Sequence, residues 1–186
     1  MRIGIRKLSK KAGPITVNPN ATVQEFGFEF AAMASRNEIR LLAPDEATAR
    51  AWAQAAIDEV RRIEAKYSRY RDDSVITRIN RAAGRETIEV DDETTALLDF
   101  AAHLHRESGG LFDLTSGVLR RVWDFKARRV PAQSELDALL PLMGWSQVQW
   151  QRPALRLPRV GMELDLGGIG KEIGRASCRE RVCLYV

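Results

Sequence analysis

Ser108-Gly109-Gly110-Leu111-Phe112-Asp113-Leu114-Thr115-Ser116-Gly117 and its companion Glu163-Leu164-Asp165-Leu166-Gly167-Gly168-Ile169-Gly170-Lys171 are the stretches around which this chain is organised. In each, glycines that let backbone approach a ligand closely stand beside a carboxylate held between apolar anchors. That pairing suits a phosphate-bearing molecule accompanied by a metal ion. Each stretch also has a plainer reading. Gly109 and Gly110 fit a helix cap, Asp113 a local backbone acceptor, and residues 167–170 a strand-to-helix turn.

Working outward, Asp91-Asp92-Glu93 opens a helix with the face Leu97, Ala101 and Leu104, which ends at Gly109-Gly110 and delivers the chain to Leu111-Phe112-Asp113. The first motif therefore lies on the loop leaving a helix, where binding groups are often placed. On the other side, Gly161 to Leu166 reads as the strand that feeds the second motif. Between them, Ser134 with Asp137 starts a helix in a capping-box-like way, and Gly144 ends it. Val148 and Trp150, then Leu155 and Leu157, alternate as two strands joined at Gln151 to Ala154, while the basic segment before Pro131 has the look of a mobile loop.

Toward the N-terminus, Pro44-Asp45-Glu46 opens a helix whose stripe is Trp52, Ala56, Val60, Ile63 and Tyr67, at steps of four, four, three and four. Tyr70, just past its end, is an exposed aromatic able to stack on a ring. A short helix runs through Ile76 and Ile79 to Asn80, Ala82-Ala83-Gly84 turns, and Glu86 to Val90 makes a short strand. Phe26, Phe28 and Phe30 alternate as a half-buried strand paired with Asn37 to Leu42. Between these strands, Met33 reads either as an ordinary core residue or, given small neighbours that leave room, as a surface for a flat ring. Residues 1–23 read as an extended leader with at most a short strand.

The chain has 186 residues, 45% of them hydrophobic, enough for one domain with a core. Its net charge of +4 is scattered except for Arg2, Arg6, Lys7, Lys10 and Lys11, and no aromatic interleaving accompanies that cluster, so no nucleic-acid partner is expected. No apolar run is long enough to span a membrane, and the basic start leads to Ala12-Gly13-Pro14 rather than an apolar stretch. The expected location is cytoplasmic. His103 and His105, two apart on a helix, point in different directions and read as surface or packing residues rather than a metal pair.

Ala32-Met33-Ala34-Ser35, Lys66 to Arg71, Asp73-Ser74 to Asn80, Gly110 to Gly117, Trp123-Asp124-Phe125, Gly144-Trp145 and Met162 to Lys171 occur in an order that resembles the ApbE family of FAD:protein FMN transferases. The resemblance covers about residues 24–171. It implies an α+β (mixed α/β), T-fold-like architecture, with mixed or antiparallel sheet packed with helices. It also implies a Mg2+-dependent reaction in which FAD is split and its FMN half joined to a threonine or serine of a partner protein, with AMP released. The implied acceptors are flavin-bearing subunits of Rnf-type or sodium-pumping NADH:quinone reductase complexes and related electron-transfer proteins, so that membrane contact comes only through the acceptor. Carried over motif by motif, Met33, Tyr70, Leu111, Phe112, Asp113, Asp165 and Lys171 would contact FAD, and the carbonyl of Gly168 would be one magnesium ligand. No catalytic residue is assigned. An FAD pyrophosphatase giving free FMN and AMP, or a non-catalytic flavin-binding domain, is the alternative.

Ala34 departs from the family, which commonly has glycine there. The family's C-terminal part, with its side-chain magnesium ligands, is also missing, so this polypeptide by itself is expected to be inactive. Residues 172–186, which hold both cysteines, Cys178 and Cys183, resemble a translated sequencing adapter and are expected to be a non-native tail. Generic phosphate loops fit worse. A Walker A loop would need glycine at Asp165 and a hydroxyl residue at Glu172, and a Rossmann fingerprint would need a small residue at Ile173.

Overall fold

Phe26 and Phe28 fall on one face of a strand by the two-residue period of extended chain, and burying that face sets the first layer of the fold. In a computed structural model, which describes residues 4–7, 23–124 and 127–169, both are buried. The expectations for Phe125, for most of the leader, for Lys171 and for the tail lie outside the described residues. The chain divides into two compact units, whose described residues are those up to Glu64 and those from Ala65 to Ile169. All strand pairings among the described residues are antiparallel, giving the mixed α+β class expected from the sequence.

In the first unit, β1 (Gly4–Lys7), β2 (Gln24–Ala32) and β3 (Ser35–Ala43) form a sheet in that order. Helix α1 (Glu46–Tyr67) follows at once. Asp45 Oδ1 accepts from Thr48 N–H at 2.8 Å, so the acidic start read from the sequence is a true N-cap. Ala49 and Ala53, one helical turn apart, pack with Phe26, Phe28, Leu41 and Ala43, with Ile39 and Trp52 at the margin. Each large side chain removed from water here contributes about 1.5–3 kcal/mol.

The pairing Ala32↔Ser35 leaves only Met33 and Ala34 to turn the β2–β3 hairpin. A two-residue hairpin turn of this kind needs positive φ at both central positions, and Met33 and Ala34 have φ of 53° and 55°. That backbone demand explains why glycine suits position 34: the difficulty with Ala34 is conformational before it is one of space around a ring. Side chains hold the strained turn. Glu64 Oε1 accepts from Met33 N–H at 2.6 Å, and Asn37 Nδ2 donates to the carbonyls of Ala32 and Ser35 at 3.0 and 3.1 Å.

In the second unit, α2 (Val75–Ala82) is capped by Ser74, whose hydroxyl accepts from Thr77 N–H at 3.0 Å, and it buries Ile76 and Ile79. β4 (Ile88–Glu89), β6 (Ala154–Arg156) and β5 (Gln149–Gln151) form a small sheet in that order. Helix α3 (Asp92–Glu107) is capped by Asp91. Lys66 holds Asp91 and Glu93 at 2.6 and 2.5 Å, and Tyr67 OH meets Thr94 Oγ1 at 3.2 Å in the interior.

Two expectations need correction. The helix expected to begin at Ser134 is α4 (Gln133–Leu139), whose N-cap is Ala132. An alanine methyl cannot accept a hydrogen bond, so only the reverse half of a capping box exists: Glu135 Oε2 accepts from Ala132 N–H at 2.8 Å. The helix also stops short of Gly144, because Pro141 brings no N–H and the chain tightens into a 3-10 turn over Leu140–Leu142. Second, Met162 to Leu166 keeps strand-like alternation, with Met162, Leu164 and Leu166 buried, yet it joins no ladder among the described residues. The Asn80 side chain stands in for a neighbouring strand by bonding both backbone groups of Leu164. In the basic segment before Pro131, Asp124 bridges Arg129, and Asp124 Oδ1 accepts from Ala127 N–H at 3.0 Å.

Candidate functional site

α3 ends where the sequence places its end. Gly110, at φ of 86°, donates its N–H to the His105 carbonyl at 2.8 Å, closing the last turn in a conformation that favours glycine. The chain then presents Leu111, 92% exposed, and Phe112 and Asp113, both half-buried. His105 fixes the exit from the helix. Its Nδ1 lies 2.8 Å from the Phe112 carbonyl, and since a carbonyl only accepts, Nδ1 carries the proton. The reading of His105 as a packing residue holds, with a hydrogen bond that its spacing could not show.

Asp113 begins the 3-10 segment Leu114–Arg121 and is the centre of the loop. Its Oδ1 accepts from Thr115 N–H at 2.8 Å and from Thr115 Oγ1–H at 2.6 Å, while Oδ2 accepts from Trp145 N–H at 2.8 Å. Thr115 Oγ1 in turn accepts from Gly144 N–H at 2.7 Å. The carboxylate thus ties the first glycine motif to Gly144-Trp145. Most of its acceptor capacity is spent inside the protein, as the plainer reading of Asp113 anticipated.

The second motif docks directly on the first. Asp165 N–H donates to the Leu114 carbonyl at 2.9 Å. Gly117 is there because nothing larger fits: a Cβ on it would lie 2.8 Å from Asp165 Cβ. One on Gly168 would lie 3.4 Å from the Phe112 ring edge, so Phe112 and Gly168 are neighbours. Asp165 Oδ1 accepts from Gly167 N–H at 2.8 Å, and Oδ2 pairs with Arg69. Arg69 Nη2 donates to the Tyr70 hydroxyl at 2.9 Å, and the guanidinium carbon sits 4.9 Å from the Tyr70 ring centre. Burial works against the Arg69 charge, but Tyr70 and Asp165 hold its pKa above the ordinary value.

The structure therefore brings Leu111, Phe112, Asp113, Asp165, Gly168 and, through Arg69, Tyr70 together in one unit. Met33 belongs to the other unit, at the tip of the β2–β3 hairpin, and Lys171 lies outside the described residues. Arg69, Thr115 and Asn80 are the participants to which sequence reasoning gave no role. The one signal for them was their position inside motifs already singled out.

For a metal ion the described residues do not suffice. Among them no three His, Cys, Asp or Glu side chains group as a metal site, and Asp113 and Asp165 are engaged by N–H, O–H and guanidinium donors. These two carboxylates do not by themselves make up the roughly six oxygens that Mg2+ takes. No described helix is long and apolar enough to cross a membrane.

The chain is similar to proteins of one kind. The model of the ApbE family matches residues 15–182. The FAD:protein FMN transferase of Treponema pallidum (strain Nichols) is 32% identical over 130 residues, covering 63% of this chain and 36% of its own length. That of Chlamydia pneumoniae is 26% identical over 126 residues, covering 66% of this chain and 40% of its own length. Among solved structures, the ApbE protein from Thermotoga maritima MSB8 superposes with a TM-score of 0.76 at 27% identity, covering 87% of this chain and 53% of that one. The flavin transferase ApbE from Vibrio cholerae gives 0.76 at 21% identity, a likeness of fold, over 86% of this chain and 53% of that one. The chain thus spans well under half the length of these curated relatives and about half that of the solved structures. With the family model matched across most of its residues and the two glycine motifs docked on each other, this chain belongs to the ApbE family.

Proposed function

We propose that this chain carries the flavin-nucleotide-binding part of an FAD:protein FMN transferase. The observation that supports it most is the docking of the two glycine motifs, Phe112 against Gly168 and Asp165 N–H on the Leu114 carbonyl, beside side chains that the fold leaves in water: Leu111 at 92% and Tyr70 at 80% exposure. A large apolar side chain held out on an anchored loop is useful when a flat ligand covers it.

In the proposed reaction a threonine or serine hydroxyl of the acceptor protein attacks the FMN-side phosphorus of FAD. The new bond is a phosphoester, the bond to the bridging oxygen breaks, the hydroxyl proton is lost, and AMP leaves. Such transfer depends mainly on positioning and on neutralising charge. Tyr70, Leu111 and Phe112 hold the flavin nucleotide, the network around Asp113 fixes the loop that carries them, and Asp165 shapes the turn facing it. Met33 and Lys171 are proposed as further FAD contacts. Mg2+ is proposed as the cofactor: the Gly168 carbonyl would be one of its ligands, and when bound it would neutralise charge on the pyrophosphate. The acceptor is proposed to be a flavin-bearing electron-transfer protein of the Rnf or NADH:quinone reductase kind.

The test is a titration of the purified chain with FAD, followed by chromatography of FAD incubated with chain, Mg2+ and an acceptor protein. Saturable FAD binding is expected. A chain that leaves FAD unbound at millimolar concentration overturns the proposal. Where turnover occurs, FMN on the acceptor marks a transferase and free FMN with AMP marks a pyrophosphatase.

A further inference from the structure

Arg69 has no role in the reading above, yet it touches two of the groups that do. It follows α1 directly, with its side chain 29% exposed. One terminal nitrogen pairs with Asp165 Oδ2, and the other donates to the Tyr70 hydroxyl at 2.9 Å. The guanidinium carbon lies 4.9 Å from the Tyr70 ring centre, within cation–π range. Its Nε is buried and has no partner among the described residues. A guanidinium engaged at both terminal nitrogens and buried at the third is a poor direct phosphate contact, but it is well placed to hold what it touches.

Tyr70 needs holding. At 80% exposure it has little packing to restrain its ring, and a ring free to rotate loses entropy when it stacks on a ligand. Arg69 ties down the hydroxyl and lies near the ring, so the orientation is set in advance. It also offsets the Asp165 charge, which would otherwise stand bare beside an anionic nucleotide.

We propose that Arg69 is a positioning residue for the flavin nucleotide, holding the Tyr70 ring and the Asp165 carboxylate in fixed relation at the 165–169 turn. This rests on the flavin-nucleotide reading. Tyr70 then binds well because Arg69 orients it, and the two side chains work as one unit rather than as independent contacts.

The experiment titrates the full chain with FAD, reading both the dissociation constant and the flavin emission per bound molecule, in wild type, Arg69→Ala, Tyr70→Phe and the double variant. Arg69→Ala should weaken FAD binding on the order of tenfold, as expected for one charge-assisted hydrogen bond. It should also raise the emission of the bound flavin, because a ring no longer pinned quenches less; a purely structural role would not move that signal. Tyr70→Phe, which keeps the ring and removes only the hydroxyl, should weaken binding about threefold. The double variant should be no worse than Arg69→Ala alone. Wild-type affinity and emission in Arg69→Ala, or losses that multiply in the double variant, overturn the proposal. If Arg69→Ala does not fold, Tyr70→Phe decides, since an exposed hydroxyl can be removed without unfolding the chain: wild-type affinity there overturns the proposal and weakened affinity supports it. Absence of FAD binding by the wild type is a different result, which overturns the functional reading itself.

Discussion

Asn80 and Leu164, 84 residues apart in sequence, are joined by two hydrogen bonds, Asn80 Nδ2 donating to the Leu164 carbonyl at 3.1 Å and Asn80 Oδ1 accepting from its N–H at 2.7 Å. One carboxamide thereby does for residues 162–166 what a neighbouring strand does for an ordinary one, and it sits one residue from Asp165. Asn80→Ala leaves both backbone groups of Leu164 without that partner and should destabilise the protein by about 2 kcal/mol. Asn80→Asp keeps the acceptor and loses the donor, so it should fall between. Urea midpoints of the three proteins, at matched slope, check the order.

Ala34 predicts the opposite sign. An L-residue at φ of 55° pays a conformational cost that glycine does not, and Ala34 is exposed, so its methyl returns little packing. Ala34→Gly should stabilise by about 1 kcal/mol and Ala34→Val should destabilise by at least as much. Thermal midpoints of the two variants should move in opposite directions.

The ion pairs of Lys66 set a pH dependence. Burial pushes the Asp91 pKa up, but the Lys66 ammonium and the Thr94 N–H outweigh it and bring the carboxyl down from its usual 3.8 to about 2. A folded-state value below the unfolded one means that this stabilisation is complete above about pH 4 and is lost as pH falls toward 2. Lys66 works from the other side: burial lowers its pKa, Asp91 and Glu93 raise it, and the net shift is upward from 10.5. Its contribution is present below that value and is lost as pH climbs through the raised one. Asp91 is 55% exposed at the side chain, so screening leaves about 1 kcal/mol or less at stake. Asp91→Asn should flatten the acid limb of stability between pH 4 and 2, as measured by denaturant midpoints across that range.

Thr115, wholly buried, donates to Asp113 and accepts from Gly144 with one hydroxyl. Thr115→Val keeps the shape and removes both bonds, leaving the Gly144 N–H unpaired and a carboxylate one donor short. A loss of about 2–3 kcal/mol is expected, with weaker FAD binding because Leu111 and Phe112 ride on the same loop. Thr115→Ser should recover most of both. Parallel unfolding and FAD titrations test it.

Much of the fold was legible because it is periodic. The stripe from Trp52 to Tyr67 gave α1 almost to the residue, and the alternation of Phe26 and Phe28 gave β2 and, with residues 37–42, its partner. The illegible parts are those where a side chain replaces backbone or where partners are far apart. Residues 162–166 alternate as a strand does, and no local pattern says that their partner is an asparagine rather than a ladder. The Arg69–Asp165 pair spans 96 residues, and nothing near either one announces the other. Ala132 was overlooked as a cap because a methyl carries no capping signal; the bond comes from Glu135. In the candidate site, the glycine motifs pointed to the right loops but were silent on the Thr115 hydroxyl, which joins Asp113 to Gly144.

The hydrogen bonds from Gly144 and Trp145 back to Thr115 and Asp113 bear on how this chain tolerates changes of length. They close the intervening excursion at its base, so the start and the finish of that excursion are fixed to each other whatever lies between. Insertions or deletions near the exposed turn at residues 127–130 can then accumulate without displacing Asp113. A change of length in that turn is therefore expected to leave the neighbouring loop its shape.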